Sequence, residues 1–254
     1  YIRMSTHTVG DFTYILNGDF TANPVAFVGS GNGTLVSSFV VDGQTYTVKL
    51  EGTGDNRFRR IGTPKPTSLT IPPGITEIGP EYFTGVGGVS KFYFSHDMSI
   101  GESSFSGQPL TVFPFEHIVG PIPYRAFYNA YYAKVSEIDL SKATSIENSA
   151  FMGFGAYGPS KHVTIGANFT HIAKSSLPVG VTTITFKGTV APTIDSTTAT
   201  NSLSNKTIYA PNMTDTSPLV SAGASAENIL NYSSDVIASI PSLPEPVGDV
   251  YEVA

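Results

Sequence analysis

The side chains best suited to acid–base or metal chemistry in this chain are its histidines. Two of the five stand beside a carboxylate, in the pairs His96-Asp97 and Glu116-His117. Neighbours along a strand point to opposite faces, so neither pair readily shares a proton or a metal ion. We interpret these histidines as surface or turn residues. A two-ligand metal site is the weaker alternative, for which His162 and His171 would have to meet across a structural repeat.

One segment, GFGAYG at residues 153–158, has the letters of a dinucleotide-binding motif. Such a loop binds a pyrophosphate where a strand opens onto a helix within a βαβ unit. Here the segment follows the end of a repeat, so we interpret it as a loop. The chain has no cysteine, which excludes thiolate catalysis, disulfides and Cys-ligated zinc. Nothing nominates a hydrolytic carboxylate pair. The sequence therefore predicts no catalytic residue, no metal, no cofactor and no enzyme.

Charge and hydropathy exclude two further classes of partner. The formal net charge is −6, whereas nucleic-acid affinity comes mainly from cations placed against phosphates. Arg57, Arg59 and Arg60 form the one basic cluster, which we interpret as a solvated turn. No apolar run approaches the roughly 18 residues needed to cross a bilayer. We expect neither nucleic-acid binding nor membrane insertion. The chain begins at Tyr1, so we also expect a processed or truncated form.

The elements that would position a functional group come from a repeat. Five isoleucines recur at spacings of 22, 22, 24 and 26 residues, and each is followed five residues later by another large apolar residue. An alternating apolar pair precedes each isoleucine. The isoleucines are Ile78, Ile100, Ile122, Ile146 and Ile172; the residues that follow are Phe83, Phe105, Phe127, Phe151 and Leu177; the pairs are Leu69/Ile71, Phe92/Phe94, Phe113/Phe115, Ile138/Leu140 and Val163/Ile165.

This period is typical of a leucine-rich-repeat-like solenoid. We predict a right-handed solenoid of the α/β class that is mostly β. Each rung of 22–26 residues would contain one short strand and one short helical turn. Phe58 lies 25 residues before Phe83 and marks a degenerate first rung. The short segment between each isoleucine and phenylalanine suits a helical or 3-10 turn whose phenylalanine fills the core.

The two ends of the chain differ from the repeats and predict caps. Asn-Gly and Asp-Gly pairs supply the positive φ of two-residue hairpins, and they occur at Asn17-Gly18, Asn32-Gly33 and Asp42-Gly43. Hairpins would cover the open edge of the first rung. We predict a hairpin cap at residues 1–50, the solenoid at 51–188, a C-terminal cap at 189–240 with a short helix within 222–240, and an extended tail at 241–254.

The segment SLTIPPGITEIGPEYF at residues 68–83 resembles the repeat unit of the BspA-type leucine-rich repeat family, and ATSIENSAF at 143–151 resembles its second half. The similarity covers roughly residues 35–212. The family commonly has Gly-Cys after the phenylalanine, which this chain lacks, and the third rung, VFPFEHIVGPIPYRAF, departs furthest. The resemblance implies a secreted or surface-displayed bacterial protein, or a related eukaryotic or phage one, engaged in adhesion or recognition. The family has no shared catalytic residues to carry over.

The outward face of the predicted strand ladder is the first candidate binding surface. Residues between the buried pairs point outward in register, and we expect Tyr93 and Asp139 to face the same side. The candidate ligand-binding residues on this face are Tyr93, Asp139, Lys91, Glu137, His162 and Thr164. A loop rich in tyrosine is the alternative, because tyrosine is enriched at interfaces; its residues are Tyr128, Tyr131 and Tyr132.

These features predict a noncatalytic recognition or adhesion module, extracellular or on a cell surface, that binds a protein or glycan through the sheet face. The alternative is a structural or host-recognition component of a larger assembly, such as a virion fibre or decoration protein. A homo-oligomer formed through the caps or the tail remains open at this stage.

Overall fold

A computed structural model of the protein describes residues 5–52, 58, 61–195 and 202–231. The described residues are mostly β, with one short α-helix, α1 (Ser217–Ser221). The strands are β1 (Thr6–Val9), β2 (Phe12–Leu16), β3 (Thr21–Phe27), β4 (Asn32–Thr34), β5 (Ser38–Val41), β6 (Gln44–Val48), β7 (Ser68–Thr70), β8 (Glu77–Ile78), β9 (Lys91–Tyr93), β10 (Ser99–Ile100), β11 (Gly120–Ile122), β12 (Glu137–Leu140), β13 (Ala143–Ile146), β14 (Lys161–Ile165), β15 (His171–Ile172), β16 (Val181–Phe186), β17 (Thr193–Ile194), β18 (Thr207–Tyr209) and β19 (Ile229–Leu230).

Successive rungs of the solenoid build one face from parallel strands, which we call the front sheet. It has two segments, β4-β7-β9 and β12-β14-β16-β18-β19. The register aligns apolar residues from rung to rung: Leu69 pairs with Phe92, and Ile138 pairs with Val163. Because side chains alternate between faces, one column enters the core and its neighbours point outward. The predicted strand ladder is confirmed.

A second parallel sheet, which we call the back sheet, runs along the isoleucines. Its segments are β8-β10 and β11-β13-β15-β17, with Ile78 paired to Ile100 and Ile146 paired to Ile172. Each rung therefore contributes two strands, whereas the sequence predicted one. Most strands here are only two or three residues long, which is too short to show an alternating pattern of their own.

The turn that follows each back-sheet strand carries one residue in the left-handed region, three positions after the isoleucine. These turns close through hydrogen bonds such as Thr84 N to Glu81 O, 3.1 Å, and take the place of the predicted helical turn. Neighbouring turns also bond to each other, as from Phe105 N to Ala126 O at 2.8 Å. The left-handed residues are Glu81, Ser103, Arg125, Ser149 and Ser175, with φ between 53° and 57°.

The core is built on a column of phenylalanine rings, one from each of the first four of these turns, while the fifth turn carries Leu177. Phe83, Phe105, Phe127 and Phe151 are fully buried, with neighbouring centroids 5.4, 5.4 and 4.9 Å apart and interplanar angles of 16°, 8° and 10°. Phe58 extends the column, its ring 5.0 Å from that of Phe83. The degenerate first rung is thus confirmed at this residue.

At the N-terminus, β1-β2-β3-β6-β5 form a sheet that is antiparallel except between β3 and β6. Asp42 and Gly43 make the predicted two-residue turn, with φ of 50° and 79°. The hairpin predicted at Asn32-Gly33 is wrong, because both residues belong to β4, which pairs in parallel with β7. A Cβ on Gly33 would lie 2.7 Å from the Phe12 ring, so close packing rather than a turn requires this glycine.

The C-terminal part continues both sheets. β17 extends the back sheet, and β18 and β19 extend the front sheet, so strands from both predicted caps join the solenoid sheets. The predicted helix within residues 222–240 is wrong over the described part, because α1 ends at Ser221 and residues 226–230 form a 3-10 turn and β19. The predicted tail at 241–254 lies outside the described residues.

Candidate functional site

The front sheet is interrupted at the third rung. An isolated bridge from Lys91 to Val112 follows β9, and the chain then forms a 3-10 helix at Phe115–His117 in place of a strand. Regular pairing resumes at β12, in the other segment of the sheet. Pro114 precedes the helix and has no N–H to give to a ladder. The irregularity lies in VFPFEHIVG, the segment that departs furthest from the repeat.

A cleft of about 730 Å³ opens beside this interruption. Its volume falls within the range of about 300–1,000 Å³ that is usual for ligand pockets. The walls are mainly apolar and aromatic, with a few polar groups at one end. The lining residues are Thr70, Ile71, Pro72, Pro73, Phe92, Tyr93, Phe94, Ser95, Val112, Phe113, Pro114, Glu116 and His117.

Tyr93 forms the exposed wall of the cleft. Its side chain is 43% exposed, while Phe92 and Phe94 on either side are buried, because successive residues of a strand point to opposite faces. Phe94 packs edge-on against Phe113 with ring centroids 5.7 Å apart. The tyrosine therefore stands on a packed aromatic base.

Two histidines lie at or near the polar end of the cleft: His117 lines it, and His96 follows the lining residue Ser95. His96 Nε2 lies 2.7 Å from Ile75 O, so Nε2 carries the proton and donates it, which leaves Nδ1 as an acceptor. Nδ1 of His96 and Nδ1 of His117 are both buried without a hydrogen-bond partner in the described part of the chain. His96 lies in the bend between β9 and β10, as a turn residue should, but its side chain is half-buried and bonded to the neighbouring rung. His117 lines the cleft and offers a bound molecule a polar contact.

The remaining predicted residues of the sheet face are engaged elsewhere. Asp139 accepts hydrogen bonds from Ser141 N, at 2.8 Å, and from Ser141 Oγ. It is half-buried and lies in the other segment of the sheet from Tyr93. Tyr93 and Asp139, which we expected to face the same side of one ladder, thus lie in different segments of the front sheet, and the Asp139 carboxylate is bonded to Ser141.

Glu137, His162 and Thr185 form a hydrogen-bonded chain across three neighbouring strands. His162 Nδ1 lies 3.1 Å from Glu137 Oε2, and His162 Nε2 lies 2.8 Å from Thr185 Oγ1. Thr164 is half-buried within the same segment, and Lys91 is exposed at the start of β9. Of the six predicted residues, only Tyr93 lines the cleft.

The tyrosines of the alternative loop divide into two groups. Tyr128 is half-buried, with Arg125 Cζ 4.7 Å above its ring centroid. Tyr131 and Tyr132 are 41% and 68% exposed. Their ring centroids lie 6.2 and 5.4 Å from the ring centroid of Tyr157. Tyr157, 72% exposed, was missed by sequence analysis, although it stands inside the GFGAYG segment.

The described residues provide no arrangement for metal chemistry. His162 belongs to β14 of the front sheet and His171 to β15 of the back sheet, so the two-ligand metal site is wrong. His171 Nε2 instead lies 3.1 Å from Asp195 Oδ1. Within residues 5–52, 58, 61–195 and 202–231, no group of three or more His, Asp or Glu side chains is placed to hold a metal ion.

The hydrogen bond from Lys142 to Asp97 holds the pKa of that carboxyl below its usual range, and both groups are exposed. In the same described ranges no helix has the length and apolarity that crossing a membrane requires.

Stacked rungs, each with two short parallel strands and a turn, place this chain in the class of leucine-rich-repeat solenoid proteins. The chain belongs to the family described as BspA type leucine rich repeat region, which matches residues 53–179 in six copies. Among curated proteins, none is significantly similar to this chain in sequence.

Three solved structures are similar to part of this chain. A leucine rich cell surface protein from Faecalibacterium prausnitzii A2-165 is 21% identical with a TM-score of 0.47, over 75% of this chain and 57% of that one. A leucine-rich repeat protein from Bacteroides ovatus ATCC 8483 is 14% identical with a TM-score of 0.31, over 80% and 70% of the two chains. The pneumococcal vaccine antigen PcpA is 11% identical with a TM-score of 0.23, over 90% and 99%. This chain thus spans little more than half of the first of these proteins.

Proposed function

We propose that this chain is a noncatalytic recognition module, acting outside the cell, that binds an apolar segment of a protein partner in the cleft beside Tyr93. The cleft carries the proposal, since an open aromatic-lined cavity of about 730 Å³ is larger than packing alone requires. Membership of a leucine-rich repeat family supports a recognition role.

The chemistry of the walls favours a protein segment over a sugar in this cleft. Ile71, Phe94 and Phe113 provide the apolar surface, and the polar groups lie to one side at Ser95, Glu116 and His117. A sugar ring needs several hydrogen-bond partners around its edge, whereas an apolar side chain needs shape and a dry surface. A partner that inserts one aromatic or branched side chain and bonds to the polar end fits this arrangement.

Selection of peptides from a displayed library on the intact protein tests the proposal. The chain contains no tryptophan, so the fluorescence of a tryptophan-bearing peptide reports binding directly. We expect Tyr93→Ala to weaken binding of the selected peptides by about thirtyfold, which corresponds to about 2 kcal/mol. Val40→Ala is the matched control, because Val40 is 60% exposed on β5 of the N-terminal sheet.

Equal affinity of the selected peptides for the protein and for Tyr93→Ala, or failure to select any peptide, would contradict the proposal. Loss of binding on Tyr131→Ala or Tyr132→Ala, with Tyr93→Ala unaffected, would move the protein-binding site to the tyrosine loop.

A further inference from the structure

A Cβ at any glycine of the GFGAYG segment would make a close contact, and two of the three glycines have positive φ. Gly153 has φ +80°, and a Cβ there would lie 2.8 Å from Tyr131 Cε1. Gly155 has φ +61°, with Lys161 Cε at 2.5 Å from the same point, and a Cβ on Gly158 would lie 2.4 Å from Ala133 O. Two of these close approaches are to the preceding rung, at Tyr131 and Ala133, and one is to Lys161, so the loop packs closely on both.

Lys161 clamps this loop from beneath. The side chain is 1% exposed, and Nζ donates to Gly155 O at 2.9 Å and to Pro159 O at 2.8 Å. The two carbonyls stand on either side of Tyr157. Burial lowers the pKa of Lys161, because removing an ammonium group from water is unfavourable. The buried amine of Lys161 thus holds one surface loop in place.

The fixed loop completes an exposed group of three tyrosines, which we call the tyrosine platform: Tyr131, Tyr132 and Tyr157. Tyr157 is tilted by 48° to Tyr131 and by 36° to Tyr132. Its backbone N donates to Tyr131 O at 3.1 Å, which joins the two loops. Asn129 Oδ1 and Tyr131 Cε1 both lie within 3.2 Å of the Cβ position of Gly153. An amide therefore stands beside the rings.

We propose that the tyrosine platform is a second binding site, separate from the cleft, that takes a neutral polysaccharide. The face of an aromatic ring carries negative charge density, which attracts the polarised C–H groups on one face of a pyranose ring. Rings that are tilted to one another, with centroids 5.4 and 6.2 Å apart, can support successive sugars of a chain.

Phenol hydroxyls and the Asn129 amide supply hydrogen bonds to the sugar edges. The tips of the three side chains are uncharged phenols, so an uncharged polymer fits the platform.

Affinity electrophoresis tests the proposal, with the protein run through native gels that contain β-glucan, mannan or xylan, and a heparin gel for comparison. We expect retardation in at least one of the neutral gels. The double variant Tyr132→Ala/Tyr157→Ala should weaken the apparent affinity at least about tenfold. Val40→Ala, an exposed apolar residue of the N-terminal sheet, should migrate as the unaltered protein does.

Lys161→Met separates the clamp from the contact surface. Lys161 is buried and cannot touch the polysaccharide, so weaker retardation in this variant, with unchanged far-UV circular dichroism, supports its role as a positioning residue. Absence of retardation in all three neutral gels, or full retardation of the double tyrosine variant, would overturn the proposal. Retardation lost only in Tyr93→Ala would place the polysaccharide in the cleft instead, and retardation confined to heparin would contradict a neutral ligand.

Discussion

Phenylalanine occupies the same place in consecutive rungs, and the core depends on it. Phe105 packs between Phe83 and Phe127 at 5.4 Å from each and is fully buried. We expect Phe105→Ala to lower the free energy of unfolding by about 3–5 kcal/mol, because the cavity left among rigid rings cannot collapse. A urea titration measures the loss, with Val40→Ala as the exposed control. A loss in Phe105→Ala no larger than that in the control would contradict the ring column.

Tyr14 links the stability of the N-terminal sheet to pH. Burial raises the pKa of Tyr14 from 10.0 to about 12, and its hydroxyl accepts a hydrogen bond from Val36 N at 3.2 Å. A raised folded-state pKa gives stability that is fully present below pH 10 and lost as pH rises through the folded value. We therefore expect ionisation of Tyr14 to lower the free energy of unfolding by up to about 2–3 kcal/mol between pH 10 and 12.

Tyr14→Phe removes the ionising group, so its unfolding free energy should fall less over the same interval of pH. Burial also raises the pKa of Tyr82, so part of the decline should remain in the variant. Identical profiles for the protein and for Tyr14→Phe would show that Tyr14 does not titrate on unfolding.

Individual binding residues were harder to predict than core residues. Tyr93 was found because alternation along one strand assigns its face. Asp139 and His162 lie on predicted outward positions, yet Ser141 on the same rung and Thr185 on a neighbouring strand bond to their polar atoms. Such bonds depend on side-chain conformation, which a repeat pattern does not specify. Tyr157 was missed because it lies in a loop with no periodicity.

At the scale of the element, each rung turn places an L-residue in the left-handed region. Ser103 has φ 53°, a conformation unfavourable for any side chain with a Cβ. We expect Ser103→Gly to raise the free energy of unfolding by about 0.5–1 kcal/mol, because relief of this strain exceeds the added backbone entropy of glycine.

Ser136→Gly is the matched control for that variant. Ser136 precedes β12 and is absent from the positive-φ residues of the described chain, so glycine there should only destabilise. Thermal unfolding of the two variants side by side measures the difference. The same direction of change in both would contradict the turn geometry.

Sequence patterns located some elements and concealed others for physical reasons. Periodic spacing of Leu69, Phe92 and Ile138 fixed the front sheet because buried residues alternate along a strand. The strands of the back sheet are mostly too short to alternate. Asn32-Gly33 has hairpin chemistry, but a parallel partner strand and the Phe12 ring decide its conformation. The cleft arises where the third rung loses its strand, so the sequence showed the departure without showing its shape.

For the whole molecule, the stacking of rungs predicts cooperative unfolding. Each rung buries its phenylalanine only against neighbours, so rungs stabilise one another. Phe83 and Phe151 lie towards opposite ends of the column, and each is replaced by alanine in turn. Each substitution should lower the urea concentration at the midpoint of one unfolding transition. The curves from tyrosine fluorescence and from far-UV circular dichroism should coincide. Separate transitions for the two probes would show that the ends unfold independently.

We propose above all that a protein partner binds at the break in the front sheet. Hydrogen–deuterium exchange of the intact protein, with and without a saturating selected peptide, tests it most directly. We predict slower exchange at residues 92–95 and 112–117, the two segments that contain most of the cleft lining, and unchanged exchange at residues 38–48 of the N-terminal sheet. Protection confined to residues 131–132 and 153–158, or to the N-terminal sheet, would contradict the account.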